Sequence, residues 1–504
     1  MVSRRLADRA SAHAACARGG GGGAAVGSEA LIAECERIVG ARHVLRGKVA
    51  LLPYASDANR IFRGRPLCAV CPAGTDEVAA VVAACHRAGV GFVPRGAGTG
   101  LSGGAAPGDG EVVISLARLR GVRTVDAVSR MAVVEPGVVN LQLSRQVADL
   151  GLYYAPDPSS QSACTIGGNV AENSGGAHCL KYGVTTNHVL GLEVVLPDGE
   201  VLRTGVLGPP CVGYDITGAF CGSEGTLGIV TAIAVRLLPR PQAVRTALAL
   251  FRSVEQAAAA VEQVTAVGVL PAALEMMDRG AMTAVDRGAY PVGYPGDVQA
   301  ALLIEFDGLT AGLEAHAAAA MAICAGCGVS EVRQARDDTE RHLWWNNRKA
   351  AFAAMGTIAR AYYVADGVIP RTALTGVLAQ IAQIGAEARL WVADVFHAGD
   401  GNLHPLIAYD PDVPGMERRV MEAGAAMLAA CVDAGGAVSG EHGIGLEKRD
   451  ELFYCFNEAD IAAQRRVHDV FDPADRANPG KVLPRPGRCA EVRAAAWDPH
   501  ATLA

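Results

Sequence analysis

Pro156-Asp157-Pro158-Ser159-Ser160-Gln161-Ser162-Ala163-Cys164-Thr165-Ile166-Gly167-Gly168-Asn169-Val170-Ala171-Glu172-Asn173-Ser174-Gly175-Gly176 is the stretch whose reading decides the fold. It is too rich in Gly, Ser and Asn for a helix or strand, and too patterned for a flexible linker. Glycine permits positive φ and close backbone approach. Successive exposed N–H groups then form a concavity suited to an anion or a polar ring. Tight surface turns are the alternative reading. A second glycine loop upstream tips the balance toward a binding cradle.

That loop is Pro94-Arg95-Gly96-Ala97-Gly98-Thr99-Gly100-Leu101-Ser102-Gly103-Gly104. It follows a strand at 90–93, which closes a βαβ unit with a strand at 67–71 and a helix at 75–88 capped by Thr75. It is no dinucleotide fingerprint: the spacing departs from G-x-G-x-x-G and loop follows it, not helix. It also lacks the Lys-Ser/Thr ending of a P-loop. A diphosphate cradle of backbone N–H groups remains. A third loop, Gly222-Ser223-Glu224-Gly225-Thr226-Leu227-Gly228-Ile229-Val230, leads into a strand.

Working outward, a short helix is expected at 30–39, strands at 112–116 and 131–134, and a helix at 140–150. A hairpin at 189–203 turns on Pro197-Asp198-Gly199. Pro239 and Pro241 mark a boundary. Beyond it, strand–helix–strand units at 246–276 and 300–333 predict an α+β unit with helices on one face of an antiparallel sheet. A hairpin at 391–409 and a long helix at 416–434 follow.

The chain has 504 residues, enough for two to four domains, and a net charge of −7. That balance gives no support for nucleic-acid binding. No apolar run is long enough to span a bilayer, so any membrane role is peripheral or through a partner. The 14 cysteines are scattered. Cys68/Cys71 and Cys324/Cys327 form CxxC pairs without the dense run of an iron–sulfur protein, and read as ordinary thiols. A reducing, cytoplasmic compartment is expected. Residues up to about Ser28, with Gly19 to Gly23, lack a signal-peptide core and read as a disordered extension.

Three constellations carry chemistry. In His397-Ala398-Gly399-Asp400-Gly401-Asn402-Leu403-His404 the histidines are seven residues apart. A straight strand would face them oppositely, but the Gly-Asp-Gly-Asn turn lets them converge as a metal-binding pair. In Ser439-Gly440-Glu441-His442-Gly443-Ile444-Gly445, Glu441 offers the carboxylate of a two-His-one-carboxylate site. His442 is the candidate general base, and a bound metal would lower the pKa of a substrate hydroxyl. In Trp344-Trp345-Asn346-Asn347-Arg348-Lys349, Arg348 suits bidentate carboxylate recognition. For each, a satisfied histidine, a charged turn or a solvated helix face is the structural alternative.

Together these motifs resemble the FAD-linked D-2-hydroxyacid dehydrogenases of the vanillyl-alcohol-oxidase/p-cresol-methylhydroxylase (PCMH) superfamily, and within it the FAD-binding (D) subunit of glycolate oxidase. The resemblance rests on the three glycine loops, the 397–404 and 440–445 motifs, Asn478-Pro479-Gly480-Lys481-Val482, and the segments 175–188 and 362–370. It spans residues 30–485. It implies an α+β fold: a helical segment at 29–62, a two-part PCMH-type FAD-binding domain at 63–242, an α+β cap domain with an antiparallel sheet at 243–485 ending in helix, and a tail at 486–504.

The resemblance also implies roles. Arg95, Gly96, Ala97, Gly98, Thr99, Gly100, Leu101 and Ser102 would hold the diphosphate of non-covalent FAD. Pro156, Asp157, Pro158, Ser160, Thr165, Ile166, Gly167, Gly168, Asn169, Asn173 and Gly175 would line the flavin ring and ribityl chain. Gly225, Gly228 and Ile229 would complete the cradle, and Asn478 would reach the flavin. His397, His404 and Glu441 would bind Zn, Mn or Fe. His442 would take the hydroxyl proton while hydride passes to flavin N5, and Arg348 would grip the carboxylate. His178 resembles a flavin-linking histidine of some relatives, although this subgroup generally binds FAD non-covalently. A lysine of the D-2-hydroxyglutarate enzymes is missing at 362–364, which favours a small monocarboxylate. Glycolate is the expected substrate, D-lactate the alternative, with electrons passing to an iron–sulfur subunit, a second FAD-domain-like subunit and quinone. The rivals are a metal-dependent hydrolase and an inactive FAD-binding scaffold.

Overall fold

The computed structural model describes residues 27–205 and 213–484. The expected extension lies outside these residues up to 26, as does the tail at 486–504; Ser28 already opens a helix, Ser28–Val39.

A four-stranded sheet comes first, in the order Val44–Leu45, Cys68–Val70, Val112–Ser115, Phe92–Arg95. The strands of the expected βαβ unit are not neighbours. Val112–Ser115 lies between them, parallel to both. Its four residues are all buried, as befits a Val/Ile-rich central strand covered on both faces. The connecting helix Thr75–Ala88 buries Val78, Val81, Val82 and Cys85, an i, i+3, i+4, i+7 stripe, and stops at Gly89 with φ 67°. Thr75 is not its cap. Gly74 holds that position without a side-chain bond, and the Thr75 hydroxyl donates to Glu193 Oε1 at 2.8 Å.

A five-stranded antiparallel sheet follows, ordered Val122–Asp126, Met131–Val134, Ile229–Arg236, Val189–Val195, Val201–Gly205. The edge strand Val122–Asp126 was not expected; its mostly exposed residues lack apolar alternation. The 140–150 helix is α-helical only over Asn140–Gln146, then tightens to a 3₁₀ turn.

The third sheet has nine strands. Its main path runs Glu331–Gln334, Ala243–Phe251, Ala300–Gly308, Ala273–Asp278, Trp391–His397, Asn402–Leu403, Gly367–Val368, with Ala361–Val364 and Pro405–Tyr409 branching off. Helices cover both faces, not one. Phe251, Leu274, Met276, Leu302 and Ile304 pack toward Val254–Ala266, Leu374–Glu387 and Met416–Asp433. Leu248, Leu250, Met277, Leu303 and Val395 pack toward Arg279–Asp286 and the helix Asp338–Lys349 with its Trp344 and Trp345. Each fully buried side chain of this kind contributes roughly 1.5–3 kcal/mol. The helices Arg279–Asp286 and Leu374–Glu387 were not expected from the sequence. The C-terminal helical segment is Glu458–Phe471, opened by a capping box on Asn457.

A polar seam joins the third sheet to the chain before it. His178 Nδ1 is 2.9 Å from Asp157 Oδ2, and Nε2 is 3.1 Å from Glu305 Oε1. Both nitrogens face acceptors, so both carry protons. Burial opposes that charge, but Asp157 and Glu305 outweigh it and raise the His178 pKa to about 10. Lys181 and Tyr182 meet Asp307 alongside, the Tyr182 hydroxyl at 2.8 Å.

Candidate active site

The quoted stretch is not all loop. Ile166–Glu172 forms a short helix: Thr165 Oγ1 accepts from Gly168 N at 3.3 Å, and Asn173 ends it at φ 51°. The two glycines sit in the first turn, where packing against Pro136 requires Gly167: an added Cβ would lie 2.4 Å from Pro136 Cβ. Composition argued against helix, but an N-cap and tertiary packing override weak propensity.

This helix and the two other glycine loops enclose a cavity of about 500 Å³. Residues 96–101 line one wall, with Arg95. Pro158, Ser160, Thr165, Gly167, Gly168 and Asn169 line a second, and Gly225, Gly228 and Ile229 a third. Among the described residues nothing accepts from the backbone N–H groups of 96–101. Those donors in a Gly-rich concavity fit an anionic diphosphate. Side chains would fill the space: a Cβ on Gly96 would lie 2.5 Å from Thr165 Oγ1.

The other expected cofactor residues lie behind this wall. The Arg95 guanidinium turns away, donating to Ser56 O and Pro53 O at 2.9 Å each, so only its remainder faces the cavity. The Ser102 carbonyl accepts from Leu446 N and Glu447 N. Pro156 O accepts from Asn140 Nδ2 at 2.9 Å. Asp157 pairs with His178, and Ile166 belongs to the core. Asn173 Oδ1 accepts from Thr186 N. Gly175 lies against Glu441, whose Oε2 would be 2.9 Å from a Cβ there. Asn478, 1 % exposed, donates from Nδ2 to Gly104 O and Glu224 O at 2.8 and 2.6 Å, tying two loops together.

At one end the cavity reaches Glu441 and His442. The 397–404 turn does converge the two histidines: their ring centroids are 5.2 Å apart. Gly401 makes the turn, with φ 81° and no room for a Cβ beside Ile369 O. His397 Nε2 and His404 Nε2 each lie 3.3 Å from Glu441 Oε1. The candidate ligand atoms of His397, His404 and Glu441 all lie within 4.8 Å of one another. Among the described residues, both ring nitrogens of buried His404 lack a hydrogen-bond partner. Orphaned imidazole nitrogens facing a carboxylate fit a divalent cation.

Electrostatics match the geometry. Burial would raise the Glu441 pKa, but His397 and His404 hold it well below the carboxylate range. Burial would lower the His397 pKa, but Glu275 and Glu441 raise it well above the imidazole range. His442 stacks on His404 at 4.8 Å between centroids, and burial lowers its pKa to about 4.

Arg348 is not among the cavity-lining residues. It is 2 % exposed and pairs with Glu275, Nη2 to Oε2 at 2.5 Å, without hydrogen-bond alignment; its Nε has no hydrogen-bond partner among the described residues. The next residue, Lys349, lines the cavity with Phe352 and Tyr362.

Comparison with known proteins fits this arrangement. The family model described as "FAD binding domain" matches residues 66–205, and "FAD linked oxidases, C-terminal domain" matches 240–482. The chain is 46 % identical to the glycolate oxidase subunit GlcD of Escherichia coli (strain K12), over 90 % of each chain. The chain belongs to the FAD-linked oxidases. It is thus an oxidoreductase that binds FAD, and the hydrolase reading is set aside. This FAD-linked oxidase is also 32 % identical to a D-lactate dehydrogenase of Anaerostipes hadrus, over 88 % of this chain and 94 % of that one. Its fold is that of 4-ethylphenol oxidase from Gulosibacter chungangensis (TM-score 0.76, 20 % identity, 91 % and 97 % coverage) and of p-cresol methylhydroxylase (TM-score 0.75, 17 % identity, 90 % and 96 % coverage).

Sequence reasoning missed the carboxylates behind the site of this FAD-linked oxidase. Glu275 accepts from His397 Nδ1, which lies 2.8 and 2.9 Å from its two oxygens. That bond fixes the tautomer and turns Nε2 toward Glu441. Asp366 accepts from the backbone N–H groups of Gly440, Glu441 and His442 and pairs with Lys448 at 2.9 Å. Glu172 and Glu224 line the cavity. A lone acid inside an apolar strand, as in Ala273-Leu274-Glu275-Met276-Met277, is the signal that could have found Glu275.

Proposed function

We propose that this FAD-linked oxidase converts a small 2-hydroxy acid to the 2-oxo acid, with glycolate the first candidate and D-lactate the second. The carrying observation is continuity: one cavity runs from the glycine loops to Glu441 and His442. Residues 95–102, the 156–175 stretch, the 225–229 loop and Asn478 would hold FAD non-covalently, and His397, His404 and Glu441 a divalent cation. Bound FAD would supply the hydride acceptor, and the cation would polarise the substrate hydroxyl.

His442 would then accept the hydroxyl proton, its ring held against His404. Arg348 remains the proposed carboxylate partner, supported by its orphaned Nε, with Lys349 the cavity-facing cation beside it. Phe352 and Tyr362 line the cavity with Lys349, and the absence of a lysine at 362–364 is in keeping with a small monocarboxylate. Residues 63–242 would form the FAD-binding unit and 243–485 the substrate and metal unit. By analogy with the relative named a subunit, we assign the chain to a complex with an iron–sulfur subunit and a second FAD-domain-like subunit, in the cytoplasm or peripheral to the membrane through them. No helix among the described residues is long and apolar enough to cross a membrane.

A visible spectrum and dye-reduction assays with glycolate, D-lactate and D-2-hydroxyglutarate, before and after chelation, test this reading. Flavin bands, FAD release on acid precipitation, glycolate turnover and chelator inhibition are expected. A flavin-loaded protein inert to all three acids would overturn it.

A further inference from the structure

The segment bearing Glu441 and His442 has no regular secondary structure from Val438 to Glu451. Two buried carboxylates from distant parts of the chain take five of its backbone N–H groups, while Gly443 N between them donates to Ser439 Oγ. Asp366 takes Gly440, Glu441 and His442 at 3.1, 3.3 and 3.0 Å. Glu224 takes the next part: Ile444 N at 2.6 Å and Gly445 N at 2.8 Å.

Glu224 reaches them from the cofactor side. Its neighbours Ser223 and Gly225 line the cavity. Its own peptide groups are pinned there: Glu224 N donates to Ala171 O at 2.8 Å, and Glu224 O accepts from Asn478 Nδ2. The backbone sits at φ 51°, a left-handed conformation that a non-glycine residue adopts only when its surroundings impose it. Gly443 makes the approach possible: φ is 86°, and a Cβ there would meet Glu172 and Glu224 within 3 Å. Glu224 is therefore held by the cradle at its backbone and holds the catalytic segment with its side chain.

We propose that Glu224 is a positioning residue that couples the cofactor cradle to the base. Occupancy of the cradle fixes the 222–230 loop; Glu224 then fixes Ile444 and Gly445, and His442 is presented two residues upstream. The assignment of His442 as base rests on the function proposed above; the coupling itself does not. Asp366 and the Ser102 carbonyl still anchor the segment on either side when Glu224 is removed, so Glu224→Ala is expected to fold.

Hydrogen exchange of the 441–447 peptide, with and without FAD, tests the coupling. In the parent protein FAD should slow exchange at Ile444 and Gly445 on the order of tenfold or more, because their bonds to Glu224 open less often once the loop is held. In Glu224→Ala that protection should vanish, while FAD still protects 96–101. Glu224→Gln, which keeps one acceptor oxygen, should retain part of it and covers the case in which the alanine variant does not fold. Flavin reduction by glycolate in a single turnover should slow roughly 10–100-fold in Glu224→Ala, with glycolate affinity changed less than threefold, and recover partly in Glu224→Gln. Equal FAD-dependent protection of 441–447 in parent and variant would overturn the coupling, whatever the activity. If glycolate is not a substrate, only the kinetic arm fails.

Discussion

The cradle at 96–101 and the cluster of His397, His404 and Glu441 face one cavity but are built from different materials. The cradle is backbone: N–H groups without an acceptor among the described residues, on a loop where a Cβ at Gly96 or Gly98 would clash. The cluster is side chain: three ionisable groups from two segments, each aimed by another buried acid or turn. A backbone site tolerates changes in chemistry but not in volume. A side-chain site tolerates neither, since each ligand depends on a partner for its tautomer and direction. Variants in the two regions should therefore fail in distinguishable ways.

The largest separation is expected between His404→Ala and Gly96→Val. His404→Ala should lower turnover by at least about 100-fold, with FAD content unchanged and no rescue by added FAD. Gly96→Val, which drives a side chain into Thr165 Oγ1, should lose FAD on gel filtration and regain activity in excess FAD. If both variants lost FAD alike, the two regions would not be separate devices. A smaller effect is expected from Glu275→Gln, which keeps an acceptor oxygen but removes the charge of the carboxylate that takes the His397 Nδ1 proton: divalent-cation affinity by titration calorimetry should fall about 10–100-fold, with FAD binding intact.

The smallest effect concerns the seam between the two regions. The His178 pKa is raised to about 10 from 6.5, so its contribution is complete below pH 6.5 and is lost as pH rises through about 10. The melting-temperature advantage of the parent over His178→Gln should shrink across that window. Asp157 is lowered to about 2 from 3.8, because His178 and Lys349 outweigh burial, so its contribution holds above pH 3.8 and is lost as pH falls through about 2. A parent-minus-variant difference independent of pH between 6.5 and 10 would remove the charge from that account.

The contrast also explains what could be read from sequence. Glycine loops are contiguous, so residues 96–101, 165–169 and 225–229 announce themselves, and the His397–His404 turn carries its own reversal. The helix Ile166–Glu172 was missed because its cap and packing, not its composition, stabilise it. The second helical layer was missed because Arg279–Asp286 is a short helix whose role depends on a sheet formed by strands far apart in the chain. Glu275, Asp366 and Glu224 act on residues 122, 76 and 220 positions away, respectively, and no local pattern encodes such a distance. Arg348, the proposed carboxylate partner, is paired here with Glu275, the same acid that accepts from His397 Nδ1, and no local pattern announces that pairing.

The most direct test of the central claim is anaerobic single-turnover reduction of the FAD-loaded, cation-loaded protein by glycolate, in the parent and in His442→Ala. The parent should bleach the flavin within seconds. The variant should retain FAD and cation and bleach about 100- to 10,000-fold more slowly, the loss expected for removing a general base. Bleaching at the parent rate in His442→Ala would contradict the account.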